Sequence, residues 1–360
     1  MAVSDLITVI ITTSPTPSSP STELISTVLE SFRRHCPDLA KTHVIVVFDN
    51  YDRIAAKERL KAGSVTQEIA DNYSSYKENV KSLILNEYIK NDDRSALKSL
   101  EGKAEFGSEG KESNAVDLAI TQTETKNVTF IEPVARLGFG LAVRSALRIV
   151  DTPYVWVQQH DWTLVADLPL QPMLEVMRES ESDEERSIKY VSFTSIRMLQ
   201  YAQSEHVIAF PALRSCTASA QKEFTPQSQP DVKIPLTPLF FWFDKPHIAS
   251  TAHYLASVFP SRLSMRRGDF IEDKIGQQAR DQMKEGLWHK WACWLYYPED
   301  GKKLFLRHLK GRTWKGGDGE LAHKYRPGTN WTGNKPPKRG VKRPSSDDGH
   351  SQKRDNPAAS

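Results

Sequence analysis

Short apolar runs and amphipathic segments alternate along the first part of the chain. Residues 6–12 and 43–48 are rich in β-branched side chains and predict two buried strands. The segment between them starts at a Ser21 or Thr22 cap and carries its apolar residues at helical spacing, which predicts a helix. Strand, helix and strand in this order predict a βαβ unit with a right-handed crossover.

The alternation continues in the second half. Residues 128–131 and 154–157 predict two more buried strands, with a helix over residues 141–150 between them. Downstream, the pattern predicts strands at 190–193 and 304–309, and helices at 171–178, 250–258, 270–280 and 287–295. We therefore expect an α/β fold with a mostly parallel sheet flanked by helices.

One long segment interrupts this pattern. Residues 53–125 are polar and charged, with helical patches at 54–60 and 76–85. The glycines within residues 98–114 predict a flexible part of this insertion.

Composition fits a globular protein. The chain has 360 residues, of which 39% are hydrophobic and 26% charged, and this length can bury a large core without disulfides. The net charge of +3 is small, so the composition does not indicate a nucleic-acid partner. Much of that charge lies in residues 333–360, which predict a disordered basic tail after one domain over residues 1–332.

The cysteines and the N-terminus bear on location. The three widely spaced cysteines form neither a disulfide nor a metal framework, which favours a reducing compartment. The N-terminus lacks a basic region and a cleavage site, so we expect no signal peptide. No apolar run approaches the ~20 residues of a membrane span, so we expect no transmembrane segment. Together these features predict a cytoplasmic protein.

Polar residues follow three of the predicted strands. The first strand ends at Thr12 and is followed by a Thr/Ser/Pro loop that begins at Thr13, the second ends at Asp49, and the strand at 154–157 leads into Gln159, His160 and Asp161. Ligands of open α/β sheets bind outside the carboxyl ends of the strands. We therefore expect these side chains to share a cleft, although Asp is also a common turn residue after a strand.

The order of these features resembles the nucleotide-sugar half of a family 2 glycosyltransferase, which has the GT-A fold. The resemblance covers residues 6–52 and 128–165 and is weaker over 266–312. It implies a nucleotide-binding half over residues 1–165 and an acceptor-binding elaboration over residues 166–332. The implied reaction transfers a sugar, with inversion, from a UDP- or GDP-sugar to an acceptor hydroxyl.

The resemblance also implies which residues bind the donor. The first loop and the acid of the second strand would hold the base, and a basic residue on the helix after the glycine turn would meet the diphosphate. That basic residue, Arg144, could equally be an ordinary solvated charge. The expected donor-binding residues are Thr12, Thr13, Ser14, Asp49, Gly138, Arg144, Gln159, His160, Asp161 and Arg312.

A divalent cation is part of the implied chemistry. Charge that develops on a diphosphate leaving group is offset by a cation, and hard oxygen ligands suit Mn²⁺ or Mg²⁺. Asp161 matches the second aspartate of the family's Asp-x-Asp motif, whereas Gln159 replaces the first and supplies no charge. His308 resembles the C-terminal histidine that completes the metal shell in several GT-A enzymes, although a lone histidine at a strand end is also a common structural residue.

Inverting transfer needs a base to take the proton of the acceptor hydroxyl. In the family this base is the aspartate of a Glu-Asp pair at a helix start, which implies Asp273 as base with Glu272 beside it. Acids are also favoured at a helix N-terminus by its dipole, without any catalytic role. The expected acceptor-binding residues are Trp242, Asp244, His247 and Asp269, although an aromatic run is also typical of a core.

Three other functions compete with this interpretation. A nucleotidyltransferase would carry a glycine-rich basic loop after the first strand, but this loop contains no basic residue. A nucleic-acid-binding factor would use the basic segment at residues 335–344, for which the folded part offers no basic-aromatic counterpart. A degenerate transferase would bind the nucleotide-sugar without turning it over, and the Gln159 replacement keeps that alternative open.

Overall fold

The computed structural model describes residues 2–89, 97–183 and 185–314. The predicted basic tail at 333–360 lies outside the described residues, as does the end of the predicted acceptor half. None of the helices in the described ranges is long and apolar enough to cross a bilayer.

Strands in the described ranges alternate with helices through most of the chain. The strands are β1 (Ile7–Thr13), β2 (His43–Phe48), β3 (Arg53–Ile54), β4 (Ser64–Val65), β5 (Lys98–Glu105), β6 (Ala115–Gln122), β7 (Val128–Pro133), β8 (Tyr154–Gln159), β9 (Trp162–Leu164), β10 (Tyr190–Phe193), β11 (Lys222–Phe224), β12 (Ile234–Pro238), β13 (His247–Ser250), β14 (Cys293–Tyr296) and β15 (Leu306–His308).

The α-helices are α1 (Val3–Leu6), α2 (Glu23–His35), α3 (Gln67–Tyr88), α4 (Phe139–Leu147), α5 (Leu170–Glu179), α6 (Glu205–Ile208), α7 (Pro211–Ala220), α8 (Thr251–His253), α9 (Gln277–Lys284) and α10 (Trp288–Trp291). Two π-helical segments extend α8 and precede α9, at Tyr254–Val258 and Glu272–Gly276.

Eleven of the described strands form one sheet in the order β11-β12-β14-β10-β13-β8-β1-β2-β7-β6-β5. Its centre is parallel: β1 pairs with β2 and β8, and β2 pairs with β7. Antiparallel pairs flank this centre on both sides, for example β13 on β8 and β6 on β7. The predicted α/β class is confirmed, with a parallel centre inside a sheet that is mixed as a whole.

The core forms on the central strands because their residues are apolar on both faces. All seven residues of β1 are buried, as are five of the six in β2. Helix α4 packs on β1 and β2, and α3 packs on β2 and β7. Sheets covered by helices bury both faces of their strands, which explains the continuous apolar runs in the sequence.

The segment predicted to be flexible, residues 98–114, contains a regular strand. Strand β5 pairs with β6 from Lys98 opposite Gln122 to Glu105 opposite Ala115, and β6 pairs with β7, so the hairpin extends the main sheet. Val116, Leu118 and Ile120 are buried while the residues between them are exposed. This two-residue alternation is a strand signal, but it lies in β6, beyond the segment that contains the glycines.

Two other predictions of secondary structure are corrected, and the last predicted strand is confirmed in a different sheet. Residues 54–60 contain no α-helix, because the chain forms β3 and then a 3-10 turn at Leu60–Ala62. Residues 293–295, predicted as helical, belong to β14 inside the sheet, where all four strand residues are buried and periodicity gives no signal. The last predicted strand is β15, which pairs with β9 in a separate two-stranded sheet.

Candidate functional site

The carboxyl ends of β1, β2 and β8 open onto one cleft. Every predicted donor-binding residue except Arg144 lines it, namely Thr12, Thr13, Ser14, Asp49, Gly138, Gln159, His160, Asp161 and Arg312. Parallel pairing of the three strands brings these residues together, although they are spread over three hundred residues of sequence. The structure therefore assembles the expected residues at the edge where ligands of α/β sheets bind.

The first loop is fixed by hydroxyl hydrogen bonds at its base. Thr13 Oγ1 lies 2.6 Å from the Tyr76 hydroxyl of α3, and Thr12 Oγ1 donates to the Gln158 carbonyl at 3.4 Å. Both threonines are buried, whereas Ser14 is half-buried. The loop is thus anchored at the strand end, and its later residues form the cleft wall.

Asp49 is a buried carboxylate that organises the glycine turn. Its Oδ1 accepts the Leu137 N–H at 2.6 Å, and its Oδ2 accepts the Gly138 N–H at 3.0 Å. Its Oδ1 also accepts the N–H of Asn50 at 2.9 Å. Burial raises the pKa of Asp49 to about 6, because these hydrogen bonds offset only part of the desolvation. Asp49 therefore ties the end of β2 to the start of α4.

Gly138 brings the candidate base segment to this cleft. Its φ is +81°, and a Cβ atom built there would lie 2.4 Å from the Cα of Gly268. Gly268 N–H donates to the Leu137 carbonyl at 2.7 Å, and Gly140 N–H donates to the Asp269 carbonyl at 3.1 Å. The turn therefore requires glycine for both its conformation and its close backbone contact.

Asp161 lies at the end of β8 and is held from the C-terminal side. Its Oδ2 accepts from His308 Nε2 at 3.0 Å and from the Gly311 N–H at 3.1 Å. Its Oδ1 is buried without a hydrogen-bond partner within the described residues. Burial raises the pKa of Asp161, but the hydrogen bond from His308, helped by that from the Gly311 N–H, outweighs it and lowers the pKa to about 2. The carboxylate is thus ionised, with one oxygen left unpaired.

His308 and His160 flank this carboxylate. The His308 ring stacks on Trp162 with centroids 4.7 Å apart, which fixes its orientation beside Asp161. The His160 backbone N–H donates to the Thr12 carbonyl at 3.0 Å. Burial lowers the pKa of His160, which favours a neutral imidazole.

The site offers few protein ligands for a cation. Within the described ranges, no group of three or more His, Cys, Asp or Glu side chains could hold a metal ion. Asp161 Oδ1 and His308 are the two predicted ligands that the structure brings together. Mg²⁺ is commonly bound by one or two carboxylates together with substrate phosphates and water, so this pair fits a cation that needs the diphosphate to complete its shell.

Gln159 links the end of β8 to the segment that was predicted to bind the acceptor. Its Nε2 donates to the Asp244 carbonyl at 2.7 Å. Asp244 and Glu272 clamp each other: the Glu272 N–H donates to Asp244 Oδ1 at 3.2 Å, and the Asp244 N–H donates to Glu272 Oε2 at 3.4 Å. Burial, reinforced by the charge of Glu272, raises the pKa of Asp244 well above its usual range. A protonated Asp244 relieves the repulsion between the two acids.

Asp273 is more exposed than Glu272 and Asp269, which are both half-buried. Asp273 Oδ2 lies 3.6 Å from Lys61 Nζ, and Asp273 is exposed. Asp269 accepts from Lys274 Nζ at 2.5 Å and from the Arg266 N–H at 3.1 Å. Asp273 thus contacts Lys61, which lines the cleft. Asp269 instead contacts residues of its own loop and of the helical segment that follows.

The structure corrects the predicted role of Arg144. The side chain is buried, and its Nη1 donates to the Glu105 carbonyl of β5 at 3.0 Å. Burial lowers the pKa of Arg144, with the charge of Arg148 acting in the same direction. The residue therefore joins α4 to the β5–β6 hairpin and does not line the cleft.

Trp242 and His247 belong to the core, which corrects their prediction as acceptor contacts. Neither has any exposed surface, and each packs against Tyr190, at centroid distances of 4.5 Å and 4.7 Å. Burial lowers the pKa of His247 to about 4. Side chains without exposed surface do not reach an acceptor.

The cleft contains residues that the sequence patterns did not single out. Lys61 and Arg136 supply positive charge, and the stacked rings of Phe139 and Phe270 supply an apolar wall, with centroids 6.1 Å apart. Arg136 lies beside the glycine turn, and Phe270 follows Asp269, so both are neighbours of predicted residues. Lys61 comes from the polar insertion, which gave no such signal.

Comparisons with known proteins complete this picture. No family model matches the chain, and no curated protein matches it. Among solved structures, the chain is similar to the S. aureus protein TarS, with a TM-score of 0.39 and 11% identity over 84% of this chain and 36% of that one.

Two further solved structures are similar to parts of the chain. The mannosyltransferase PcManGT from Pyrobaculum calidifontis, in complex with GDP-Man and Mn²⁺, has a TM-score of 0.32 and 11% identity over 69% of this chain and 46% of its own. Glucosyl-3-phosphoglycerate synthase from Mycobacterium tuberculosis, in complex with Mn²⁺, UDP-glucose and phosphoglyceric acid, has a TM-score of 0.33 and 12% identity over 81% and 70%. The chain thus spans less than half of TarS and of PcManGT, and TM-scores this low leave the assignment of function to the cleft itself.

Proposed function

We propose that this chain is a GT-A glycosyltransferase that moves a sugar from a nucleoside-diphosphate donor to an acceptor hydroxyl. The observation that carries the proposal is the geometry of Asp161. Its ionised carboxylate lines the cleft, is fixed through Oδ2 by His308 and Gly311, and keeps Oδ1 without a partner in the described structure. A buried charged oxygen without a hydrogen bond is costly unless a cation or donor binds it.

The rest of the cleft fits a nucleotide donor. Thr13, Ser14 and Asp49 line the cleft together with Asn50 and Tyr51, and we propose that this part of it binds the base and the ribose. Arg312 lies on the same side as Asp161 and supplies positive charge for a diphosphate, for which guanidinium is well suited. The donor is a UDP- or GDP-sugar.

Asp161 would hold Mn²⁺ or Mg²⁺ through Oδ1 together with donor phosphates, and His308 would join as a ligand once its Nε2 turns from Asp161 Oδ2 to the cation. Such a cation stabilises negative charge as the sugar–phosphate bond breaks. Gln159 contributes no charge, so we propose that the cation binds only together with the diphosphate. The chain's own residues then position the donor, and Asp273, which follows Glu272 in the chain, accepts the proton of the acceptor hydroxyl with inversion at the sugar carbon.

The location follows from the cysteines. Cys36, Cys216 and Cys293 are all free, and the first and last are buried. Free buried thiols persist in a reducing compartment. We propose that the protein acts in the cytoplasm.

A donor turnover assay tests this function. The purified chain is incubated with a panel of UDP- and GDP-sugars and Mn²⁺, and released nucleoside diphosphate is measured with and without candidate acceptors. Release from one donor by the wild type, and its loss in Asp161→Asn, supports the proposal. Binding of a donor without any release would identify a degenerate, non-catalytic binder, and the absence of both binding and release would contradict the proposal.

A further inference from the structure

We propose that Lys61 binds the donor diphosphate and that, in doing so, it releases Asp273 to act as the base. This inference rests on the proposed function and adds to it a residue from the insertion and an order of events. The wall that carries Lys61 is built from the insertion and from the loop before the glycine turn. It places the Lys61 ammonium group near the predicted donor-binding residues and beside Asp273.

The backbone of Lys61 is held firmly at the cleft wall. Arg136 Nη2 donates to the Lys61 carbonyl at 2.9 Å, and the Asp52 N–H donates to the Gly63 carbonyl at 2.8 Å. Gly63 has φ +71°, and a Cβ atom there would lie 2.4 Å from Asp52 Oδ2 and 2.7 Å from Arg136 Cδ. The turn is therefore packed tightly against Arg136, so the Lys61 side chain starts from a defined point.

The side chain of Lys61, by contrast, makes contacts that exchange easily. Its Nζ lies 3.6 Å from Asp273 Oδ2, and the two side chains are 65% and 59% exposed. It also lies 5.2 Å from the centroid of the Phe270 ring, a cation–π distance. Exposed ion pairs of this kind contribute little, whereas a lysine–phosphate contact is a charge-assisted hydrogen bond. A bound diphosphate would thus compete well for Lys61.

Of the cationic residues that line the cleft, Lys61 and Arg312 are the better candidates for binding a diphosphate. Arg136 also lines the cleft, but its Nη1 is paired with Asp52 at 3.0 Å. Arg312 lies over the same Phe270 ring as Lys61, with its guanidinium carbon 5.5 Å from the centroid. Two cations gathered around one ring at the cleft wall provide charge for the two phosphates of a donor.

The Lys61–Asp273 pair also links the donor to the base. The Lys61 ammonium group lies 3.6 Å from Asp273 Oδ2, the oxygen to which an acceptor hydroxyl would have to donate its proton. When the diphosphate takes Lys61, Asp273 becomes free to accept a proton. The donor is therefore expected to bind before the acceptor, and the base is set free only when the donor is present.

Calorimetric titration of UDP and GDP, with uridine and guanosine as uncharged probes, tests this exchange. We expect Lys61→Met to weaken diphosphate binding about tenfold, the loss of one charged hydrogen bond, and to leave nucleoside binding unchanged. We expect Asp273→Asn to strengthen diphosphate binding about twofold to fivefold, since Lys61 no longer has a competing partner. In the Lys61→Met background, Asp273→Asn should have no effect.

The matched controls are Lys41→Met and Asp38→Asn. Lys41 and Asp38 form another exposed pair, at 3.0 Å, just before β2 and thus at the opposite end of this strand from the cleft. Both control variants should bind as the wild type does. Equal diphosphate affinity of Lys61→Met and the wild type would overturn this inference and leave the proposed function standing. If the wild type binds neither UDP nor GDP, the proposed function itself fails, and this inference fails with it.

Discussion

His308 Nε2 lies 3.0 Å from Asp161 Oδ2, although the two residues are 147 positions apart in the chain. The Gly311 N–H donates to the same oxygen at 3.1 Å. Together they occupy Oδ2 and leave Oδ1 as the oxygen available to a cation. The segment after β15 thus completes a site that begins at the end of β8.

His308→Ala should weaken cation-dependent nucleotide binding. Partners that orient a metal ligand typically contribute about 10- to 100-fold in metal affinity, and His308 would in addition be a ligand. Titration of UDP or GDP at several Mn²⁺ concentrations measures this loss. The control is His35→Ala, which removes a histidine paired with Asp167 at 2.7 Å outside the cleft. Unchanged Mn²⁺ dependence in His308→Ala would rule out a role for His308 at the cation.

Gly138→Ala should destabilise the protein and weaken nucleotide binding. The new Cβ would meet the Gly268 backbone and would force a φ of +81° on alanine, which together should cost about 2–4 kcal/mol of unfolding free energy. Gly110→Ala is the matched control, because Gly110 has φ +77° but nothing within 4 Å of the new Cβ, so only about 1 kcal/mol of strain is expected. Urea denaturation compares the two. Equal losses would show that the contact with Gly268 is unimportant.

The cleft could be predicted from sequence because its parts lie at the ends of strongly apolar strands. Asp49 and Asp161 each follow such a run, and parallel pairing then brings them to one edge. Arg144 could not be placed in this way. The surroundings of α4 depend on the β5–β6 hairpin, and the first strand of this hairpin is mostly exposed and contains Gly102, a composition typical of a flexible segment.

The remaining wrong or missed predictions concern residues whose surroundings depend on contacts with distant parts of the chain. The aromatic run containing Trp242 has the same composition whether it faces a sugar or a core, and only contact with Tyr190 shows that it is core. Lys61 shows the opposite case: an ordinary charge in a polar insertion becomes a cleft residue because Arg136 holds its carbonyl. Local sequence patterns contain no information about either contact.

Asp49 should make stability depend on pH in a defined direction. Its pKa in the folded chain is about 6, above the ordinary value of 3.8, so the folded state holds this proton more tightly than the unfolded state. This contribution is fully present below pH 4 and is lost as the pH rises through 6. It amounts to about 3 kcal/mol at most.

Asp49→Asn isolates this effect. The asparagine does not titrate, and its amide loses one of the acceptors that hold the Leu137–Gly138 turn, so the variant should be less stable at every pH. The deficit relative to the wild type should be largest near pH 4 and smaller above pH 6. Thermal unfolding of both proteins across this range measures the difference. A deficit that grows with pH would show that the pKa of Asp49 is lowered instead.

Substitutions of Arg312 and Arg144 should change different properties. The first should lower nucleotide affinity, and the second should lower the stability of the fold. Arg312→Met is expected to weaken UDP or GDP binding about 10- to 100-fold, because a charged hydrogen bond contributes roughly 1.5–3 kcal/mol, and to leave nucleoside binding unchanged. Arg144→Met should leave nucleotide affinity unchanged and lower the unfolding free energy by about 1–3 kcal/mol, since it removes the donor to the Glu105 carbonyl. Calorimetry and urea denaturation of both variants measure the two effects. The opposite result would restore Arg144 as the diphosphate residue.

The central claim is that Asp161 binds a donor diphosphate through a divalent cation. Calorimetric titration of UDP and GDP into the wild type and Asp161→Asn, each with Mn²⁺ and with EDTA, tests it most directly. We predict that one nucleotide binds the wild type more than tenfold more tightly with Mn²⁺ than with EDTA, and that Asp161→Asn removes this difference while its weaker, metal-independent binding remains. Equal Mn²⁺ dependence in the two proteins would contradict the claim.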